Sequence, residues 1–329
     1  MGEFVKTPHT EATEAISFKL ESGDASAVAR KLRKSTPQVP DYGIAAAGLE
    51  ERWATVAGYR MRYLGGGTGP PLVLIPGLLG YSFSWRFNFS ALAPHATVYA
   101  PDLLGLGFSD RGPGLDGSLR AHAERMLEFM DQVGLEQADV LGTSHGGAIA
   151  MMTAVLGSNR RRVRRLILVA PVNPWSRHGA FVTRILGTAP GALCFRALQP
   201  ALRRTRGYFL RRMYGDPRRV PPGSVEGYAA ALDIPGTVAH GLRIVQGWHA
   251  GLRALAAALP AIRDIPTLLV WGSRDPAVLP TSAPKVAAQF SNAKLVMMEG
   301  VGHLPYEEAP EEFNRVVIEF LESGNRAIG

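Results

Sequence analysis

Short apolar runs recur along the chain at 72–75, 97–100, 140–141, 166–170, 268–271 and 295–298. Stretches with helical spacing lie among them at 118–133, 148–156, 282–290 and 310–321. Runs that are apolar on both faces suit strands of a parallel sheet with helices packed against each side. Their alternation with helical segments predicts a doubly wound, mostly parallel α/β sheet. Upstream the period changes. Residues 53–56 and 59–63 alternate around Ala57-Gly58, the pattern of an N-terminal β-hairpin, and Gly65-Gly66-Gly67 ends it.

Between the runs at 166–170 and 268–271 lie roughly a hundred residues with no clear strand, too many for a structureless loop. Helical stretches broken at Pro190, Pro200, Pro217, Pro221 and Pro235 mark residues 174–262 as a helical insertion. The core then comprises 49–173 and 263–329. Residues 1–48, mixed in charge with one short helix expected at 25–34, form a partly ordered N-terminal extension. The insertion holds twelve arginines against Asp216, Glu226 and Asp233, so the chain's formal charge of +8 belongs almost wholly to it.

Between the apolar run at 138–141 and the helical stretch from Ala148 stands Gly142-Thr-Ser144-His-Gly146. Gly-x-Ser-x-Gly alone is short enough to be an ordinary glycine-rich turn. At a strand-to-helix corner it is the pattern of a nucleophile elbow. So tight a turn leaves no room for side chains two residues to either side of the serine. The hydroxyl would be presented at the positive end of a helix dipole.

Four further segments accompany it in order along the chain. They are Pro76-Gly77-Leu78-Leu79-Gly80 after the run at 72–75, Asp102-Leu-Leu-Gly105-Leu-Gly107-Phe-Ser109, and, after the elbow, the pair Trp271-Gly272-Ser-Arg-Asp275 and Gly300-Val-Gly302-His303. With these the chain, over roughly residues 50–323, resembles the serine hydrolases of the α/β-hydrolase fold that carry an inserted helical cap (lid). The resemblance implies Ser144 as nucleophile, His303 as base and Asp275 as acid, in the order this fold uses. A serine is a weak nucleophile until a base takes its proton. Histidine titrates near neutrality, and a carboxylate on its other nitrogen fixes the tautomer. An oxyanion hole is implied at the backbone N–H groups of Leu78 and His145.

The chain departs from the family pattern at Pro76-Gly77, where His-Gly is usual. The backbone donor of Leu78 survives, but an imidazole that would support the loop is lost. Some relatives place the acid after an earlier strand; here that loop reads Ala170-Pro171-Val172-Asn173-Pro174 and offers no carboxylate. Asp102, before Gly105 and Gly107, is expected to tie down its own loop. His145 reads as a surface or packing residue, with a substrate contact as the alternative. His9 and His95 look peripheral, His122 lies on a helix, and among His178, His240 and His249 one could line a pocket.

No histidine pair has metal-ligand spacing, so no metal is expected, and no cofactor. Cys194 is the single cysteine, which rules out an intrachain disulfide and points to a cytoplasmic setting. No secretory signal and no apolar stretch of the ~18 residues a spanning helix needs is visible. Basic charge without a recognition motif argues against nucleic acid.

The resemblance also implies that haloalkane dehalogenases and epoxide hydrolases of this fold carry aspartate where Ser144 stands. Serine instead points to esters of small to medium hydrophobic acyl or aryl groups. Thioesterases, perhydrolases and carbon–carbon bond hydrolases share the triad and stay open, as does a non-catalytic small-molecule receptor on the same fold. The arginines of the insertion read either as a solvated helical face or as an interface for anionic lipid or a carboxylate-bearing substrate, peripheral to a membrane.

Overall fold

The computed structural model describes residues 44–176 and 180–323. The helix expected at 25–34, with most of the N-terminal extension, lies outside the described residues. So do Arg177 and His178.

Eight strands form one sheet: β1 (Leu49–Val56), β2 (Tyr59–Gly67), β3 (Pro71–Ile75), β4 (Thr97–Pro101), β5 (Ala138–Thr143), β6 (Val163–Val169), β7 (Thr267–Gly272) and β8 (Ala293–Met298). Their order is β1-β2-β4-β3-β5-β6-β7-β8. The pairings β1–β2 and β2–β4 are antiparallel and the rest parallel. The β1–β2 connection is a two-residue turn with Ala57 at φ 49° and Gly58 at φ 76°. Positive φ at both central residues is what a right-twisted hairpin requires.

Alternate residues of the central strands feed two cores, one on each face of the sheet. On β6, Leu166 and Leu168 join the first core while Ile167 and Val169 join the second. The first is covered by α1 (Leu119–Gln132) and α2 (His145–Leu156). Ser118 caps α1 by accepting from the Ala121 N–H. Leu119, Ala123, Met126, Phe129 and Met130 lie along its buried stripe. On α2 every residue from His145 to Ala154 is buried, as befits a helix that is apolar all round.

Between β6 and β7 the described residues hold helices and no strand: α3 (Ala180–Leu186), α4 (Ala189–Leu202), α5 (Arg206–Arg212), α6 (Ser224–Leu232) and α7 (Thr237–Ala258). The long α7 packs on α1 and α2. Pro190 falls in the first turn of α4 and Pro217 opens a 3-10 turn, as breaks. Pro200 does not break its helix; it lies inside the last turn of α4. There it removes one i→i−4 hydrogen bond, two residues before the helix ends at Leu202. The chain closes with α8 (Pro310–Ser323), whose Phe313, Val316 and Val317 cover the second core.

Candidate active site

Ser144 joins β5 to α2 with φ 51° and ψ −118°, a conformation that non-glycine residues hold only when their surroundings impose it. Here the surroundings do. The Ser144 N–H donates to Val169 O at 2.9 Å, and Ser144 O accepts from Val172 N at 2.9 Å and Gly147 N at 3.0 Å. A Cβ on Gly142 would lie 2.3 Å from Gly146 O. One on Gly146 would lie 2.3 Å from both Ile75 O and Pro76 O. The elbow glycines are therefore required by the backbone opposite them, and for Gly146 that backbone is the end of β3.

The loop after β3 passes alongside the serine, since a Cβ built on Gly77 would touch Ser144 Cβ at 3.3 Å. Gly80 N–H closes it onto Gly77 O at 3.0 Å, with Leu79 at φ 61°. Neither the Leu78 N–H nor the His145 N–H is hydrogen-bonded among the described residues. His145 opens α2, so its N–H is one of the donors a helix start leaves open.

Asp275 follows β7 and His303 follows β8, both buried. Asp275 Oδ1 accepts from Ala277 N at 2.7 Å and Val278 N at 2.9 Å, and Oδ2 lies 2.7 Å from His303 Nδ1. A carboxylate only accepts, so in the neutral ring the proton belongs on Nδ1 and Nε2 keeps its lone pair. Asp275 and His303 are thus directly joined, while the Ser144 hydroxyl makes no hydrogen bond among the described residues. Catalytic hydrogen bonds of this kind are often loose without substrate.

Asp102 is engaged elsewhere. Its Oδ1 accepts from Ser82 N at 2.8 Å, and its Oδ2 from Phe108 N at 2.9 Å and from the buried Arg62 guanidinium at 3.1 Å. Gly107, at φ 54°, lies so close that a Cβ would come 2.5 Å from the Asp102 carboxyl carbon. Asp102 ties down its own loop.

His145 is not a surface residue. Its ring is buried and stacks on Trp248 of α7 at 5.0 Å and 16°. His122 of α1 stands 5.9 Å from it and 5.5 Å from His240 of α7. His122 Nε2, His145 Nε2 and both ring nitrogens of His240 have no partner among the described residues. Burial, with His240 adding to it, pushes His145 down to about 4. Burial, then Arg243, Arg125 and Arg111, pushes His240 down to about 4 despite Asp116. Burial drives His122 well below its ordinary value. No group of three or more His, Cys, Asp or Glu among the described residues has the arrangement of a metal site. A small apolar cavity adjoins His145, lined by Leu119, Ala148, Val172, Ile244 and Trp248 among others.

Sequence reasoning missed two carboxylates just after the His303 turn, and one of them, Glu308, holds it. Glu308 Oε2 accepts from Gly302 N at 2.7 Å and Gly215 N at 2.8 Å, and its Oε1 from Asp216 N at 2.9 Å. The His303 N–H itself donates to Met213 O at 2.6 Å. Glu307 accepts from Arg86 and from Tyr214 Oη, each at 2.8 Å, and from Tyr228 Oη. Burial and then Glu307 raise both tyrosines, which keeps their hydroxyls as donors. The insertion segment 213–216 and the turn carrying His303 are thereby fastened together. The one signal in the sequence is a pair of adjacent acids just after Pro305.

The sequence pattern of the alpha/beta hydrolase fold matches residues 70–310. Haloalkane dehalogenase 2 of Mycobacterium tuberculosis is 31% identical over 285 residues, covering 82% of this chain and 94% of that protein. The 2-hydroxymuconate semialdehyde hydrolase of a Pseudomonas species is 28% identical over 284 residues, covering 82% and 93%. Among solved structures, the epoxide hydrolase CorEH without ligand superposes with a TM-score of 0.71 at 25% identity, covering 84% of this chain and 99% of that one.

Proposed function

The chain belongs to the alpha/beta hydrolase fold family, and from that premise we propose that it is a serine hydrolase cleaving carboxylic esters of small to medium hydrophobic acyl or aryl groups. The observation that carries this reading is the buried Asp275–His303 pair at 2.7 Å; the strained elbow at Ser144 and the N–H groups of Leu78 and His145, unbonded among the described residues, support it. In the proposed cycle His303 Nε2 takes the Ser144 proton as Oγ attacks the ester carbonyl. Asp275 stabilises the imidazolium that forms. The N–H groups of Leu78 and His145 meet the oxyanion, a contribution of ~3 kcal/mol for each donor. His303 then protonates the leaving alcohol, and water repeats the sequence on the acyl-enzyme.

Chemistry speaks against carrying the dehalogenase or epoxide hydrolase activity of the relatives over to this chain. A carboxylate that displaces halide or opens an epoxide leaves an ester that water can hydrolyse. A serine doing the same would leave an alkyl ether, which has no carbonyl for water to attack, and turnover would stop. Similarity to the 2-hydroxymuconate semialdehyde hydrolase favours a second reading, hydrolysis of a carbon–carbon bond next to a ketone through the same three side chains.

A fluorophosphonate probe is expected to label wild-type protein at Ser144 and to leave Ser144→Ala unlabelled. Folded wild-type protein that does not react would sink the serine hydrolase reading. A series of p-nitrophenyl esters run beside a vinylogous diketone separates the two substrates. Esters are expected to turn over faster, and faster cleavage of the diketone overturns that preference.

A further inference from the structure

The insertion leaves an unusual amount of apolar side chain in water. Of the eleven large hydrophobic residues exposed among the described residues, seven lie between 181 and 209. On α3 these are Phe181, Val182 and Ile185, with Phe181 74% exposed; on α4 they are Leu193, 69% exposed, and Leu198. Tyr208 and Phe209 follow on α5. Nine of the fourteen residues of α4 are apolar, yet Ala192 is the one it buries. Helix α3 packs on α4, and α4 continues through the turn at 203–205 into α5, so the exposed residues come from one connected run of chain. Solvated patches of this kind mark surfaces that something else covers.

The charge of the same run identifies what covers it. No Asp or Glu occurs between Asp139 and Asp216, while α3 to α5 and the turn between them carry Arg184, Arg196, Arg203, Arg204, Arg206, Arg211 and Arg212. Arg203 and Arg206 pair with Asp233. Arg184, Arg196, Arg204 and Arg211 have no ion pair among the described residues. A second copy of this face would bring arginines against arginines, so self-association is opposed. A nucleic acid would engage the arginines and leave Val182, Ile185, Leu193 and Leu198 in water. An anionic membrane surface satisfies both sets, with apolar groups at the boundary between headgroups and acyl chains and guanidinium groups on lipid phosphates.

We propose that the surface formed by α3, α4 and α5 docks on anionic lipid. No helix among the described residues is long and apolar enough to cross a membrane, and the contact is one of lying on the surface. It is independent of the chemistry proposed for Ser144.

Cys194 supplies the reporter. It is the chain's single cysteine, it is exposed, and it sits on α4 beside Leu193. Full-length protein labelled there with an environment-sensitive fluorophore is titrated with phosphatidylcholine vesicles, with and without phosphatidylserine. The expected result is a blue shift with the anionic vesicles, weakened by added salt, together with flotation of unlabelled protein on the same vesicles. Arg204→Ala and Arg211→Ala are expected to reduce partitioning about fivefold for each arginine removed. Phe181→Ser combined with Leu193→Ser is expected to abolish it.

Equal partitioning into neutral and anionic vesicles, or none into either, overturns the proposal. So does a blue shift that appears without vesicles and grows with protein concentration, which would assign the surface to a second copy. Fluorophosphonate labelling of the same variants in buffer is expected to be unchanged, so a failure here is distinct from a failure of the hydrolase reading.

Discussion

At Ser144 the backbone holds a conformation with φ 51° that costs on the order of 1–3 kcal/mol for a residue with a Cβ. Hydrogen bonds to the end of β6, the loop after it and the first turn of α2 impose it. Ser144→Ala keeps the Cβ and the strain, whereas Ser144→Gly releases it. Both variants are expected to be inactive, with Ser144→Gly about 1 kcal/mol more stable than Ser144→Ala in urea denaturation. Equal stabilities would show that the elbow is not strained. Asp275 permits a second test at this scale. In Asp275→Asn the side-chain carbonyl can still accept from Ala277 and Val278, so the loop should keep its shape. The amide then faces His303 Nδ1 as a donor, which drives the ring proton to Nε2 and removes the base. The turnover number is expected to fall about 10⁴-fold with little change in the unfolding midpoint, read from esterase kinetics beside thermal melts. A loss of activity in proportion to stability would mean that Asp275 serves only its loop.

The single turn Pro305–Glu308 does more for the site than its length suggests. Through Glu308 it satisfies three backbone N–H groups, one in the turn carrying His303 and two in the insertion. Glu308→Ala leaves one buried and two part-buried donors unpaired, at a cost of about 1–3 kcal/mol for the buried one. Glu308→Gln keeps an acceptor oxygen and is expected to lose less. Parallel losses of stability and of turnover number are expected, measured by urea titration and ester hydrolysis. An alanine variant with native stability would remove the fastening role. Strands and helices were legible in the sequence because burial on a sheet or a helix face leaves a local period. Asp275 and His303 were legible because each sits in a short motif at the end of its own strand. Glu308 was not, since the insertion groups it binds stand more than ninety residues away. Arg62, which reaches Asp102 across the end of the sheet, escaped notice for the same reason.

Across the whole molecule, core and insertion meet on α7, and the three buried imidazoles His122, His145 and His240 lie at that seam. The sequence places His122 on a helix, reads His145 as a surface or packing residue and offers His240 only as one of three insertion histidines that could line a pocket, because their grouping depends on how α7 lies over α1 and α2. The groups around them are Arg125 and Asp116 on the core side, with Arg111 and Arg243 beside His240, and burial is the largest influence on each ring. A histidine held near 4 in the folded protein and near 6.5 when unfolded is neutral in the fold while the unfolded chain takes up a proton. Stability is therefore fully present above about pH 6.5, falls as pH drops, and for His145 and His240 levels off below about 4. A shift of the size found for His145 contributes up to about 3 kcal/mol. Carboxylates also titrate toward the lower end of this window, so the informative comparison is with His122→Gln, which removes one of the three titrating rings. Urea unfolding between pH 7 and pH 4 is expected to show a shallower loss of stability in His122→Gln than in wild type. Identical pH slopes would mean that the His122 ring takes up its proton in the folded protein as readily as in the unfolded chain.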